Sequence, residues 1–229
     1  MNTDLIAAIR EDLARAATPS LAPAMKAYMK SAMPFLGVQM PQVRHVCRRV
    51  FTAHPLASFD DWHDTALALW REARYREERY AAIALTGAPR YQDFQRLDTL
   101  PMYEEMIVSG AWWDYVDDIA IHRIGRLLAL FPAEMRETML AWSRDANLWK
   151  RRSAILCQIS FKAATDEELL YACITPNLGD KGYFMRTAIG WALREYSKTC
   201  PDAVRRYVRD HETELSPLSR REALKHMAT

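Results

Sequence analysis

The chain has little glycine and none of the short signatures that mark the commoner catalytic machineries. Only seven of its 229 residues are glycine, and no glycine-rich run offers backbone N–H groups to a nucleotide phosphate. There is no HExxH, and no Ser-His-Asp motif of a hydrolase triad stands out. The six histidines are scattered, with no pair at metal-ligand spacing beside a carboxylate. No catalytic metal is expected, and no cofactor is implied. The four cysteines, Cys47, Cys157, Cys173 and Cys200, are far apart and form no CxxC. They read as reduced, buried thiols, not as a disulfide framework. No long apolar run is present, and Met1–Ile6 mixes residue types too early for a signal peptide. The expectation is a cytoplasmic protein with no membrane span. Neither charge sign dominates: 31 Lys and Arg oppose 29 Asp and Glu, for a net +2. Bulk charge alone therefore does not demand nucleic acid.

What is present is helical periodicity, with no convincing alternating strand. Thr18-Pro19, Met40-Pro41 and Phe131-Pro132 place proline at a first helical position. Ser58-Phe59-Asp60-Asp61 and Thr165-Asp166-Glu167-Glu168 read as capping boxes. Stops are expected near Gly37, Gly87, Gly110, the turn from Thr175 to Gly179, and Cys200-Pro201. About a dozen short helices result, and half of the residues are hydrophobic, enough for a well-packed core.

The helices repeat. Arg152-Ser153-Ala154-Ile155, Arg186-Thr187-Ala188-Ile189 and Arg221-Glu222-Ala223-Leu224 share one pattern, and Tyr80–Ile83 and Asp117–Ile119 follow it less closely. The aliphatic markers 83, 119, 155, 189 and 224 are 36, 36, 34 and 35 residues apart. That period predicts an all-α superhelical array of HEAT-like antiparallel helix pairs, with residues 1–229 as one repeat domain. Basic residues cluster at Arg44-Arg48-Arg49, Arg71-Arg74-Arg76-Arg79, Lys150-Arg151-Arg152, Arg205-Arg206 and Arg220-Arg221-Lys225. Each cluster alone is an ordinary solvated helix face. A recurring arginine on the second helix of each pair would instead line a concave basic surface that cradles phosphates.

Within this register Trp113 and Trp149 both lie six residues before a marker, and Asp117 stands in the arginine row. The tract Trp112-Trp113-Asp114-Tyr115-Val116-Asp117 sets aromatic residues beside carboxylates at a helix start, with Trp113 and Asp117 on one face. An acid among phosphate-binding positions needs a reason, and stabilising a developing cation is one. Core packing for Trp113 and a dipole-favoured helix-start carboxylate for Asp117 are the competing explanations. Trp191, next to Gly190, is either core or a second aromatic wall. Tyr28 and Gln39 are uninformative by themselves.

These segments, together with Ala27-Tyr28-Met29-Lys30, Phe35–Gln39, Leu148–Leu156, Ala188–Tyr196 and Leu218–Ala223, resemble the AlkD family of bacterial DNA alkylation-repair glycosylases. The resemblance runs in order over nearly the whole chain and is most specific in WWDxVD and AIGWxLREY. It implies a monomeric enzyme, nucleoid-associated while acting, that binds damaged double-stranded DNA. It also implies excision of purines alkylated at N3 or N7. Asp117, Trp113 and Trp191 match the family's catalytic carboxylate and aromatic positions. Arg152 matches an arginine that holds the DNA backbone, and Tyr28 and Gln39 match positions near the cleft. With no lysine among Trp113, Asp117 and Trp191, no Schiff base and no lyase step are expected. A non-catalytic helical-repeat module that binds DNA structure or damage, and a protein-interaction scaffold, are the other functions the pattern allows.

Overall fold

The structure is a computed structural model that describes residues 1–227. Among these residues there are fourteen α-helices and no strand. The chain divides into two compact units, Met1–Gln95 and a second beginning at Arg96.

The first unit contains α1 (Thr3–Arg15), α2 (Ala22–Tyr28), α3 (Met40–Ala53), α4 (Phe59–Arg71) and α5 (Arg76–Thr86). Most of these helices start where the sequence caps the first turn or places proline in it, while α5 has neither. Ser58 caps α4 by accepting from the Asp61 amide, as its spacing predicts, and Pro41 sits in the first turn of α3. Pro19, by contrast, lies in a turn, and α2 starts later, at Ala22, with Pro23 in its first turn. Gly37 does not end a helix either, because α2 has already stopped at Tyr28. Instead Gly37 takes φ +85° in the segment before α3, where an added Cβ would lie 2.1 Å from the Thr18 carbonyl oxygen. Only glycine fits there.

That irregular segment is held from the start of α5. Glu77 is fully buried and accepts three backbone N–H bonds, from Leu36 (3.0 Å), Gly37 (2.9 Å) and Val38 (3.1 Å). The Arg76 amide donates to the Pro34 carbonyl at 2.9 Å. Loop amides that no helix or sheet would satisfy thus find a charged acceptor.

The second unit contains α6 (Leu100–Gly110), α7 (Trp113–Ile119), α8 (Gly125–Leu130), α9 (Pro132–Trp142), α10 (Leu148–Leu156), α11 (Glu167–Ile174), α12 (Tyr183–Ser197), α13 (Pro201–Asp210) and α14 (Pro217–Ala223). A π-helical turn, Ala120–Ile124, joins α7 to α8. The α11 cap falls one residue later than the sequence suggests: Asp166, not Thr165, accepts from the Leu169 amide. At the end of α6 the left-handed residue is Ala111, φ 44°, and not Gly110.

The 35-residue period is visible as cross-links between equivalent helices. Asn177 donates to the Ser143 carbonyl at 2.8 Å, Thr175 and Tyr207 share a hydroxyl bond of 3.2 Å, and Ser219 donates to the Arg186 carbonyl at 2.9 Å. The partners are 34, 32 and 33 residues apart. Helices α10 and α12 pack together, as do α12 and α14. Gly190 lets the last pair approach: a Cβ there would lie 2.6 Å from the Cβ of Glu222. The markers Ile83, Ile119, Ile155 and Ile189 are all buried, but Leu224 follows α14 and is 37% exposed. Counted strictly from Ile119, the residue in the arginine position is Val116, which is fully buried; Asp117 lies one residue on.

Candidate functional site

Helix α7 begins inside the aromatic–acidic tract. Trp112 is its extended N-cap residue (φ −152°, ψ 145°) and Asp114 lies in the first turn, where the helix dipole favours an anion. The Trp112 ring packs at 6.2 Å from Trp149 and edge-on at 5.4 Å from Phe184, and those two rings are 5.1 Å apart. This cluster ties the start of α7 to α10 and α12. Trp113 is half-buried, on the same face of α7 as Asp117 one turn later.

Asp117 meets Arg152 of α10. The Arg152 Nε donates to Oδ1 at 2.6 Å and Nη2 donates to Oδ2 at 2.7 Å, a bidentate pair. The arginine is 1% exposed, so it does not stand on an open surface as an arginine offered to phosphate would. Its remaining donor, Nη1, bonds the Phe184 carbonyl and, at 3.3 Å, the Thr187 hydroxyl. The guanidinium carbon lies 5.3 Å from the Trp191 ring centroid and 5.9 Å from that of Phe184. Planar cation and aromatic faces attract at this range. Asp117, one residue past the arginine position, therefore has a reason to be an acid: it is the counter-ion of the buried arginine on α10.

The carboxylate is not sealed. The Asp117 side chain is 16% exposed, and each of its oxygens has a second lone pair beyond the one Arg152 uses. Burial pushes its pKa above the ordinary aspartate value, opposed by the hydrogen bonds and charge of Arg152 and reinforced by the charge of Asp114. The site thus holds an anion that is costly to leave uncompensated, beside half-buried Trp191 and Trp113.

The neighbouring cations are already paired. Lys150 Nζ lies 2.8 Å from Glu104 and 2.6 Å from Asp145, and Arg151 lies 2.9 Å from Asp180. The basic run Lys150-Arg151-Arg152 is accordingly neutralised within its own unit. Of the cysteines, Cys47 and Cys173 are buried, and burial pushes both thiols up to about 12. Among the described residues no group of three His, Cys, Asp or Glu side chains could hold a metal ion.

The structure thus brings together Asp117, Arg152 and Trp191, with Trp113 on the Asp117 face. It adds Phe184 and Thr187, which sequence reasoning missed, although Asp117, Arg152 and Thr187 are spaced 35 residues apart, at the repeat period itself. Tyr28 and Gln39 belong to the first unit. Tyr28 is 74% exposed at the end of α2, and Gln39 is exposed at the N-cap of α3 without a side-chain cap bond.

A family model described as DNA alkylation repair enzyme matches residues 9–227. Among solved structures, a predicted DNA alkylation repair enzyme from Enterococcus faecalis is 29% identical, superposes with a TM-score of 0.84, and is matched over 93% of this chain and 97% of its own. No curated protein matches the chain.

Proposed function

Since the chain belongs to the DNA alkylation repair enzyme family, we propose that it is a monofunctional DNA glycosylase that hydrolyses the N-glycosidic bond of N3- or N7-alkylated purines in duplex DNA. The observation that carries the reading is the partly exposed Asp117 carboxylate, fixed bidentately by buried Arg152 next to Trp191.

Alkylation at N3 or N7 makes the purine a cation, so the leaving base is already activated and needs no general acid. What remains is the positive charge that develops on the sugar, and a water to trap it. Asp117 supplies a fixed negative charge for the oxocarbenium-like sugar and an acceptor for the water. Arg152 orients that carboxylate and keeps it ionised; in this reading it acts on Asp117 and not on phosphate. Trp191 and Trp113 offer apolar and π surface to the lesion's sugar and cationic base, each contact worth roughly 1–3 kcal/mol. The aromatic wall of Trp112, Trp149 and Phe184 ties together the N-terminal ends of α7, α10 and α12, the helices that carry these groups.

One observation favours a second reading. Arg152 engages both oxygens of Asp117, which is also how a purely structural buried pair would look, in a module that recognises damaged DNA without cutting it. Methylated duplex DNA separates the two. The enzyme releases free 3-methyladenine or 7-methylguanine and leaves abasic sites without strand cleavage. A binding module retains methylated duplex and releases no base above the uncatalysed rate.

A further inference from the structure

Residues 13–59 contain no aspartate or glutamate, although acids make up about one residue in eight of the chain. The segment carries six cations: Arg15, Lys26, Lys30, Arg44, Arg48 and Arg49. The basic run of the second unit is neutralised locally, Lys150, Arg151 and Arg152 pairing with Glu104, Asp145, Asp180 and Asp117. Two of the six follow that habit: Arg15 pairs with Glu11 and Asp12, and Arg49 with Asp12 at 2.6 Å. The other four, Lys26, Lys30, Arg44 and Arg48, are exposed and have no acidic partner among the described residues. Glu77, which accepts from backbone amides of this segment, is buried against residues 36–38.

Their placement has order. Arg44 and Arg48 are four apart on the exposed face of α3, opposite buried Val43, Val46, Cys47 and Val50. Their Cβ atoms are therefore about 5–6 Å apart on one face, close enough to meet neighbouring phosphates of one strand. Lys26 and Lys30 flank Tyr28, a 74% exposed ring whose apolar body suits a sugar edge. Four like charges without internal compensation repel one another, a cost that an external polyanion removes.

We propose that α2 and α3 form the electrostatic anchor for the sugar–phosphate backbone of duplex DNA, with Lys26, Lys30, Arg44 and Arg48 as its phosphate contacts. Charge recognition then resides in the first unit, and the paired, uncharged-on-balance surroundings of Asp117 in the second unit are reserved for the lesion. This rests on DNA being the substrate carrier, as in the reading above.

The test is the salt dependence of binding to an undamaged duplex, read separately from base release on methylated duplex. Each phosphate contact contributes about 0.9 to the slope of log K against log salt. Arg44→Ala/Arg48→Ala is expected to make the slope shallower by about 2, and Lys26→Gln/Lys30→Gln by a similar amount. Lys150→Ala/Arg151→Ala, which removes paired cations, should leave it within experimental scatter. All six positions lie at helix surfaces or ends, and an unchanged melting temperature confirms that a pair variant is folded. An unchanged slope in the α2 and α3 variants, or a slope lost equally in the α10 variant, overturns the anchor. Normal salt-dependent binding without base release keeps the anchor and sinks the glycosylase reading.

Discussion

Arg152→Met removes a guanidinium while keeping most of its apolar volume, and the structure sets the cost. Arg152 is 1% exposed and donates to both Asp117 oxygens, the Phe184 carbonyl and the Thr187 hydroxyl. Methionine leaves a largely buried carboxylate without its counter-ion and a backbone carbonyl without this donor. Breaking one side of a buried pair costs about 3–5 kcal/mol, a large share of the 5–15 kcal/mol typical of a folded domain. At roughly 2–4 °C per kcal/mol for a chain of this size, the melting temperature should fall by about 6–20 °C. Adding Asp117→Leu should recover much of that loss, because both charges then leave the interior together. Denaturant unfolding of the two single variants and the double variant completes the cycle. A loss below about 1 kcal/mol in Arg152→Met, or a double variant as unstable as the summed singles, would refute the claim that these residues form one buried unit.

The raised pKa of Asp117 gives a pH prediction. The reaction needs the carboxylate ionised, so base release should fall on acidification through a midpoint above the ordinary aspartate range. A conservative Arg152→Gln change removes the positive charge that lowers the pKa and should move that midpoint higher still; a rate that is flat in pH through the acid region would contradict the role. For stability the sign is reversed from a paired surface acid: a raised folded pKa means the folded state holds its proton more tightly, so this group favours folding less as pH rises through it. Gly190→Ala forces a Cβ to within 2.6 Å of the Glu222 Cβ, so α12 and α14 must separate, at about 1–3 kcal/mol measured by denaturation. Glu77→Gln presents an amide group where backbone donors point, and should cost about 1–3 kcal/mol. Hydrogen exchange at the amides of Leu36, Gly37 and Val38 should accelerate, and unchanged exchange would show that the carboxylate does not hold the loop.

The helices were legible because their signals are local. Ser58, Pro41 and Pro132 act within one turn, and apolar spacing reports a buried face whatever lies against it. Gly37 misled because its segment is held by Glu77, some forty residues downstream, and Pro19 because Thr18–Leu21 closes a turn of its own before α2 begins. The repeat register was legible too, since stacked units bury equivalent positions. It could not give rotation about each helix axis: the π turn after α7 and the one-residue offset of Asp117 change which side chains face each other. For that reason the row of arginines read as one basic surface, whereas the structure divides it. Arg152 turns inward to Asp117, Arg186 is half-buried, and Arg221 is exposed. Phe184 takes part through its carbonyl and ring, and a backbone acceptor leaves no mark in a sequence.

The central claim is that Asp117 is the charge that stabilises the departing sugar, and one comparison tests it most directly. Single-turnover release of 3-methyladenine and 7-methylguanine from methylated duplex is measured for the wild type and Asp117→Asn, with binding of the same duplex as the control for folding. Removing a preorganised electrostatic group of this kind costs about 10²–10³ in rate, so Asp117→Asn should release base at least a hundredfold more slowly while still binding duplex. Release at the wild-type rate by the folded variant would contradict the account.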